Sequence, residues 1–110
     1  MRRGSLGDVE HFVLVALLRL GESYGVPILD ELAERTGREV SRPAVYIALR
    51  RLEAKGLLES RLGDATAERG GRAKRYFTLT RAGLRQLQQS REAYRRIWAG
   101  AEHLLPRTVK

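Results

Sequence analysis

Two segments of this 110-residue chain concentrate groups able to grip a polyanion. The first is Arg69-Gly70-Gly71-Arg72-Ala73-Lys74-Arg75, four cations around an adjacent pair of glycines. Glycine allows the sharp turn that brings one backbone close to another. The flanking cations would then neutralise phosphates or reach into a minor groove. From Arg61 to Arg75 there are five cations and two anions, so the whole segment is net basic. The competing reading is a solvated charged turn.

The second segment begins at Ser41-Arg42-Pro43. At about 100° per residue in a helix, Val45, Ala48, Leu49 and Leu52 cluster on one side and pack inward. Pro43, Tyr46, Ile47 and Arg50 face largely the other way. Ser41, Arg42 and Pro43 stand at the N-terminal end, by which a groove-reading helix meets bases. An outward Ile47 can touch a thymine methyl; otherwise it is an exposed apolar residue of the kind most surfaces carry. Arg50 can reach a phosphate or a guanine edge, or stand as a solvated arginine paired with Glu53.

Enzyme chemistry has no comparable footing. His11 and His103 are far apart, and no nucleophile sits at a spacing that pairs it with a base. Asp8 and Glu10 lie where a helix N-terminus favours acids. The chain has no cysteine, which excludes disulfides, thiolate chemistry and Cys-based zinc sites. No catalytic residue, cofactor or metal is expected.

Composition agrees. The net charge is +8, with 18 Arg and 3 Lys, and points to nucleic acid or an anionic surface. The preference for Arg fits a GC-rich genome as well as phosphate chemistry. Hydrophobic residues at 43% and charged residues at 31% describe one globular domain. The longest apolar run, Phe12 to Leu18, is far short of the roughly 20 residues that span a bilayer. No small-residue cleavage site follows the basic start, so no signal peptide and a cytoplasmic location are expected.

Periodicity supplies the elements that position these side chains. Val9, Phe12, Val13, Ala16, Leu17 and Leu20 mark a helix from about Asp8 to Leu20. Leu14 and Leu18 widen its apolar surface, and that second surface can meet a partner subunit. A helix through Ile28, Leu29, Leu32 and Ala33 stops near Gly37, and a third runs from Arg42 to about Lys55 behind the N-cap Ser41. Strands are expected over Leu57–Leu62 and Tyr76–Leu79, around a loop from Gly63 to Gly71. Thr80 caps a last helix from Arg81 to about Leu105, roughly 37 Å long. Along it Leu84, Leu87, Arg91, Tyr94, Trp98, Ala101 and Leu105 fall at heptad spacing, a seam for a second copy of the chain. The order is that of a winged helix-turn-helix, mainly α with one β-hairpin, followed by a long helix. Residues 1–80 are assigned to the first unit and 81–110 to the helix and tail.

Specific residues carry a resemblance. They are Leu6-Gly7; Tyr24-Gly25 with Ile28 and Leu32; Ser41 with Val45-Tyr46 and Leu49-Arg50-Arg51-Leu52-Glu53; Lys55-Gly56-Leu57-Leu58; and Gly70-Gly71-Arg72-Ala73-Lys74-Arg75-Tyr76 with Leu79-Thr80 and Gly83. Over nearly its whole length the chain resembles the PadR family of bacterial transcriptional regulators, in the compact form with a single C-terminal helix. The resemblance implies a homodimeric repressor on a palindromic operator of double-stranded DNA, released by a small aromatic or drug-like effector. It implies Tyr46, Arg50, Arg72 and Lys74 as DNA contacts and Tyr24 as a phosphate contact, with Arg75 beside them on the wing. Pro27 departs from the acidic or polar residue familiar there, which affects only where the second helix begins. In compact members an aromatic on the last helix lines a pore between subunits. Trp98, with Tyr94 and Leu14 or Leu18, is the corresponding candidate for a flat apolar ligand, against plain interface packing. The alternative to DNA binding is a winged-helix protein-interaction module, against which the basic glycine-rich wing argues.

Overall fold

A computed structural model describes residues 6–63 and 73–109. The elements follow the expected order: α1 (Asp8–Leu20), α2 (Gly25–Thr36), α3 (Arg42–Ala54), β1 (Leu58–Leu62), β2 (Arg75–Leu79) and α4 (Arg81–Trp98), then a short 3-10 turn, Glu102–Leu104. The fold is mainly α with a small antiparallel hairpin, as the patterning predicts.

Helices α3 and α4 begin where a side chain takes up a free amide. The Ser41 hydroxyl accepts from the Ala44 amide at 3.2 Å, and Pro43 sits in the first turn, where it removes no intrahelical bond. The Thr80 hydroxyl accepts from the Gly83 amide at 3.0 Å and donates to the Gly56 carbonyl at 2.7 Å. One side chain therefore caps α4 and ties it to the end of α3.

The apolar faces converge on one core: Val13, Leu14 and Leu17 of α1, Ile28 and Leu32 of α2, and Val45, Leu49 and Leu52 of α3. Leu58, Phe77 and Leu87 close it from the hairpin and α4. Each such side chain contributes about 1.5–3 kcal/mol by leaving water. At the edge of the core Glu10 is buried, its Oε1 2.9 Å from Lys55 Nζ. This pair ties α1 to the C-terminal end of α3.

The hairpin pairs Leu58 with Leu79, Ser60 with Phe77 and Leu62 with Arg75. Its free edge is extended by Ser23, whose amide donates to the Phe77 carbonyl at 3.1 Å and whose carbonyl accepts from the Phe77 amide at 2.8 Å. The α1–α2 connection is thereby fixed to the base of the wing, and Tyr24 follows directly.

Two expectations need correction. The last helix stops at Trp98, seven residues before the expected Leu105. Gly100 takes a φ of +81°, a left-handed conformation that ends the helix, and the Ala101 amide bonds to the Trp98 carbonyl at 2.8 Å. Ala101 and Leu105 are therefore not on the helical seam. Leu14, expected at a second exposed surface of α1, is completely buried in the protomer's own core, whereas Leu18 is exposed.

Candidate nucleic-acid interface

The helical phase of α3 decides which side chains reach outward. Val45, Ala48, Leu49 and Leu52 are buried, while Arg42, Pro43, Tyr46, Ile47 and Arg50 are exposed. Arg51, which the outward set omits, is also exposed and lies one turn beyond Ile47. The i, i+4 spacing from Ile47 carries that signal.

Across from α3 stands the hairpin. Between them lies a cleft of about 540 Å³ lined by Tyr24, Gly25, Tyr46, Arg50, Glu53, Lys74 and Arg75 above Leu49 and Phe77. The structure thus brings five of the expected contact residues, Tyr24, Tyr46, Arg50, Lys74 and Arg75, to one place. Ser41, Arg42, Pro43 and Ile47 lie along α3 outside this cleft, and the Ser41 hydroxyl is engaged as a helix cap. Arg69, Gly70, Gly71 and Arg72 lie outside the described residues.

Two close contacts shape the cleft. Gly25, buried at the start of α2, faces the Tyr46 ring, and a Cβ there would lie 2.6 Å from its Cζ. Tyr46 is thereby docked on the first turn of α2. Glu53, the one carboxylate in the lining, accepts from the Ser60 hydroxyl at 2.7 Å, and that hydroxyl accepts from Arg75 Nη1 at 3.1 Å. The carboxylate is held by the hairpin and does not pair with Arg50.

Charge pairing divides the surface. Arg19 and Arg35 share Glu31, Arg61 forks onto Glu22, and Arg95 and Arg96 share Glu92. The bond from Arg61 lowers the Glu22 pKa from its ordinary value, Arg35 does the same chiefly to Glu31, and Arg95 chiefly to Glu92. Among the described residues, Arg42, Arg50, Arg51, Lys74 and Arg75 have no carboxylate partner. Cations on α3 and the hairpin that no described carboxylate neutralises leave a field that an external polyanion can satisfy.

A second feature is apolar. On α4, Leu87 is buried, but Leu84, Tyr94, Ile97 and Trp98 are exposed, and Arg91 stands among them. Leu18 joins Leu84, Leu87, Arg91 and Tyr94 around one groove between α1 and α4. Ala101 and Leu105 lie past the helix end, and Leu14 is sealed from this surface. Ile97, 75% exposed, is absent from the expected seam because it sits one position before Trp98 in the heptad. His11 lies against Tyr94 with ring centroids 5.4 Å apart, and its Nδ1 is buried without a hydrogen-bond partner among the described residues. Burial lowers its pKa, with Asp8 opposing.

Among the described residues no group of His, Cys, Asp and Glu is arranged to hold a metal ion, and no helix is long and apolar enough to cross a membrane.

A family model described as the transcriptional regulator PadR-like family matches residues 13–89, well over half of the chain. The chain belongs to that family. It is therefore a DNA-binding transcription regulator and not an enzyme. Solved structures agree on the fold of this PadR-like regulator. A PadR family transcription regulator from Clostridium difficile R20291 is 23% identical with a TM-score of 0.75, covering 91% of this chain and 100% of its own. A PadR family transcriptional regulator from Eggerthella lenta DSM 2243 is 28% identical with a TM-score of 0.69, over 87% of this chain and 82% of its own. A PadR-like transcriptional regulator from Bacillus cereus strain ATCC 14579 is 24% identical with a TM-score of 0.72, over 91% and 93%. No curated protein matches this chain.

Proposed function

We propose that this PadR-like regulator is a homodimeric, ligand-responsive repressor of the compact type, acting in the cytoplasm on a palindromic operator. Each protomer sets α3 in a major groove and the hairpin against the flanking backbone, with the two copies of α3 about one helical turn apart, roughly 34 Å. Residues 1–80 form the DNA-binding unit, and residues 81–110 the dimerisation helix and tail.

The observation that carries this reading is the convergence of α3 and hairpin cations, none with a carboxylate partner among the described residues, on one cleft. Ser41, Arg42, Pro43 and Ile47, along α3 outside the cleft, are assigned to the bases. Tyr24, Tyr46, Arg50, Lys74 and Arg75 line the cleft and meet the backbone, and Arg72 is assigned to the backbone on its chemistry alone. Dimerisation is supported by the exposed apolar side chains Leu18, Leu84, Tyr94, Ile97 and Trp98. A second copy presents the same face, so a twofold contact removes both from water. A flat apolar effector between Leu18, Tyr94 and Trp98 of the two copies would reset the spacing of the two α3 helices and release the operator.

The test is duplex binding at several salt concentrations on the DNA upstream of the protein's own gene. Affinity should fall steeply as salt rises. A stable monomer with no salt-sensitive affinity for any duplex would overturn the reading. Quenching of Trp98 fluorescence by planar compounds tests the effector site, and no change across a broad panel would remove it.

A further inference from the structure

The cations of the cleft differ in how they are held. Lys74 Nζ stands 5.0 Å from the centroid of the Tyr24 ring and has no carboxylate partner among the described residues. Behind it runs a chain of contacts. The Tyr24 ring meets the Tyr76 ring edge-on, with centroids 5.5 Å apart. The Arg61 guanidinium lies 5.0 Å from the Tyr76 centroid and is forked onto Glu22, with Nε–Oε2 at 2.8 Å and Nη2–Oε1 at 2.9 Å. The paired amides and carbonyls of Ser23 and Phe77 hold the backbone on which Tyr24 stands.

A carboxylate would fix a lysine equally well but would cancel its charge. An aromatic face holds the ammonium while leaving its charge available to an incoming anion. The opposite wall supplies the Arg50 guanidinium and the Tyr46 hydroxyl, which Gly25 admits beside the first turn of α2.

We propose that this cleft seats one phosphodiester group of the DNA backbone between Lys74 and Arg50, and that Tyr24 is a positioning residue that holds Lys74 there. The assignment rests on the duplex-binding reading above. It differs from the role expected for Tyr24, because the ring and not the hydroxyl is what matters.

The experiment measures duplex affinity of the full chain against salt for wild type, Lys74→Ala, Tyr24→Ala, Tyr24→Leu, Tyr24→Phe and the Tyr24→Ala/Lys74→Ala double variant. Losing one phosphate contact flattens the slope of log K against log salt by about 0.9, which makes the affinity drop between 50 and 200 mM salt about 3.5-fold smaller. Lys74→Ala should show this flattening, Tyr24→Ala most of it, and the double variant no more than Lys74→Ala alone. Tyr24→Phe should keep the wild-type slope and affinity. Tyr24→Leu preserves bulk at the base of the hairpin, so flattening in Tyr24→Leu with unchanged far-UV dichroism separates lost positioning from lost folding.

A wild-type slope in Lys74→Ala overturns the phosphate seat. Additive effects in the double variant, or weaker binding by Tyr24→Phe at an unchanged slope, make Tyr24 a direct contact and overturn its positioning role. A wild-type protein without salt-dependent duplex binding removes the underlying reading instead.

Discussion

Adding one methyl group at Gly83 should destabilise the protein with no contribution from the DNA-facing surface. Gly83 is buried in the first turn of α4, and a Cβ there would collide with the Leu57 carbonyl oxygen, with the carbonyl carbon and Leu79 Cδ2 each at 3.2 Å. The obstacle is backbone and is anchored at both ends. The Leu57 amide donates to the Leu52 carbonyl at 2.9 Å, and the Leu57 carbonyl accepts from the Thr80 amide at 3.1 Å. Overpacking against such an obstacle costs about 1–3 kcal/mol. A shift of α4 large enough to relieve it would loosen the Thr80 cap, for about 1 kcal/mol more. Replacing glycine in a helix returns up to about 1 kcal/mol. Gly83→Ala should therefore be about 1–3 kcal/mol less stable, a fall in Tm of roughly 5–15 °C for a domain of this size. The assay is thermal or urea unfolding followed by far-UV dichroism at one fixed protein concentration, because association makes Tm concentration-dependent. Gln89→Ala, on the exposed face of α4, is the control and should change little. A Gly83→Ala variant as stable as wild type would refute the packing argument.

Other perturbations act on separate surfaces. Arg72→Ala should weaken binding to all duplexes alike and flatten the salt slope by about 0.9, whereas Ile47→Ala should alter preference at one position in each half-site, by about 1–3 kcal/mol in a binding-site selection. Ile97→Asp should shift the protein towards monomer in sedimentation without lowering the helicity of α4, because Ile97 is 75% exposed in the protomer. Burial holds the His11 imidazole below its ordinary 6.5, so the folded state binds fewer protons than the unfolded chain as pH falls through that value. Stability linked to His11 should be complete above about pH 6.5 and decline below it, and a His11→Leu variant in pH-dependent unfolding should lose that decline. The carboxylates Glu22, Glu31 and Glu92 are lowered by their arginines, so their contribution should fade only as pH falls below about 4.5, separating the two acid responses.

Local patterns made much of this legible in the sequence. The outward and inward sets of α3 follow from a 100° rotation per residue, and burial of Val45, Ala48, Leu49 and Leu52 matches it residue by residue. Ser41 and Thr80 act as caps because their chemistry is local. The misplaced features depend on tertiary geometry. Leu14 has the same apolar character as Leu18, and only packing against the other helices decides that one is sealed and the other exposed. The heptad continued past Trp98 in side-chain type, but the left-handed Gly100 stopped the backbone that would have carried it. The Gly25–Tyr46 contact joins residues 21 apart, and nothing in their spacing announces it.

The arrangement of charge also explains how a small, strongly basic chain can fold before it meets DNA. A net charge of +8 on one domain is self-repelling. The scaffold absorbs part of this by pairing: Glu31 bridges the arginines of α1 and α2, Glu22 anchors Arg61 of β1, and Glu10 draws Lys55 against α1. The exposed pairs are individually weak, but Arg19–Glu31, Arg61–Glu22 and Lys55–Glu10 each join different elements. Glu53 is the carboxylate that lines the cleft, and it is bound to Ser60. Ile47→Glu would set a carboxylate at i, i+3 and i, i+4 spacing from Arg50 and Arg51 and relieve repulsion in the free protein. It would stabilise the fold slightly while abolishing duplex affinity, so stability and binding would move in opposite directions. Loss of both together would mean that α3 is held by something other than the core beneath it.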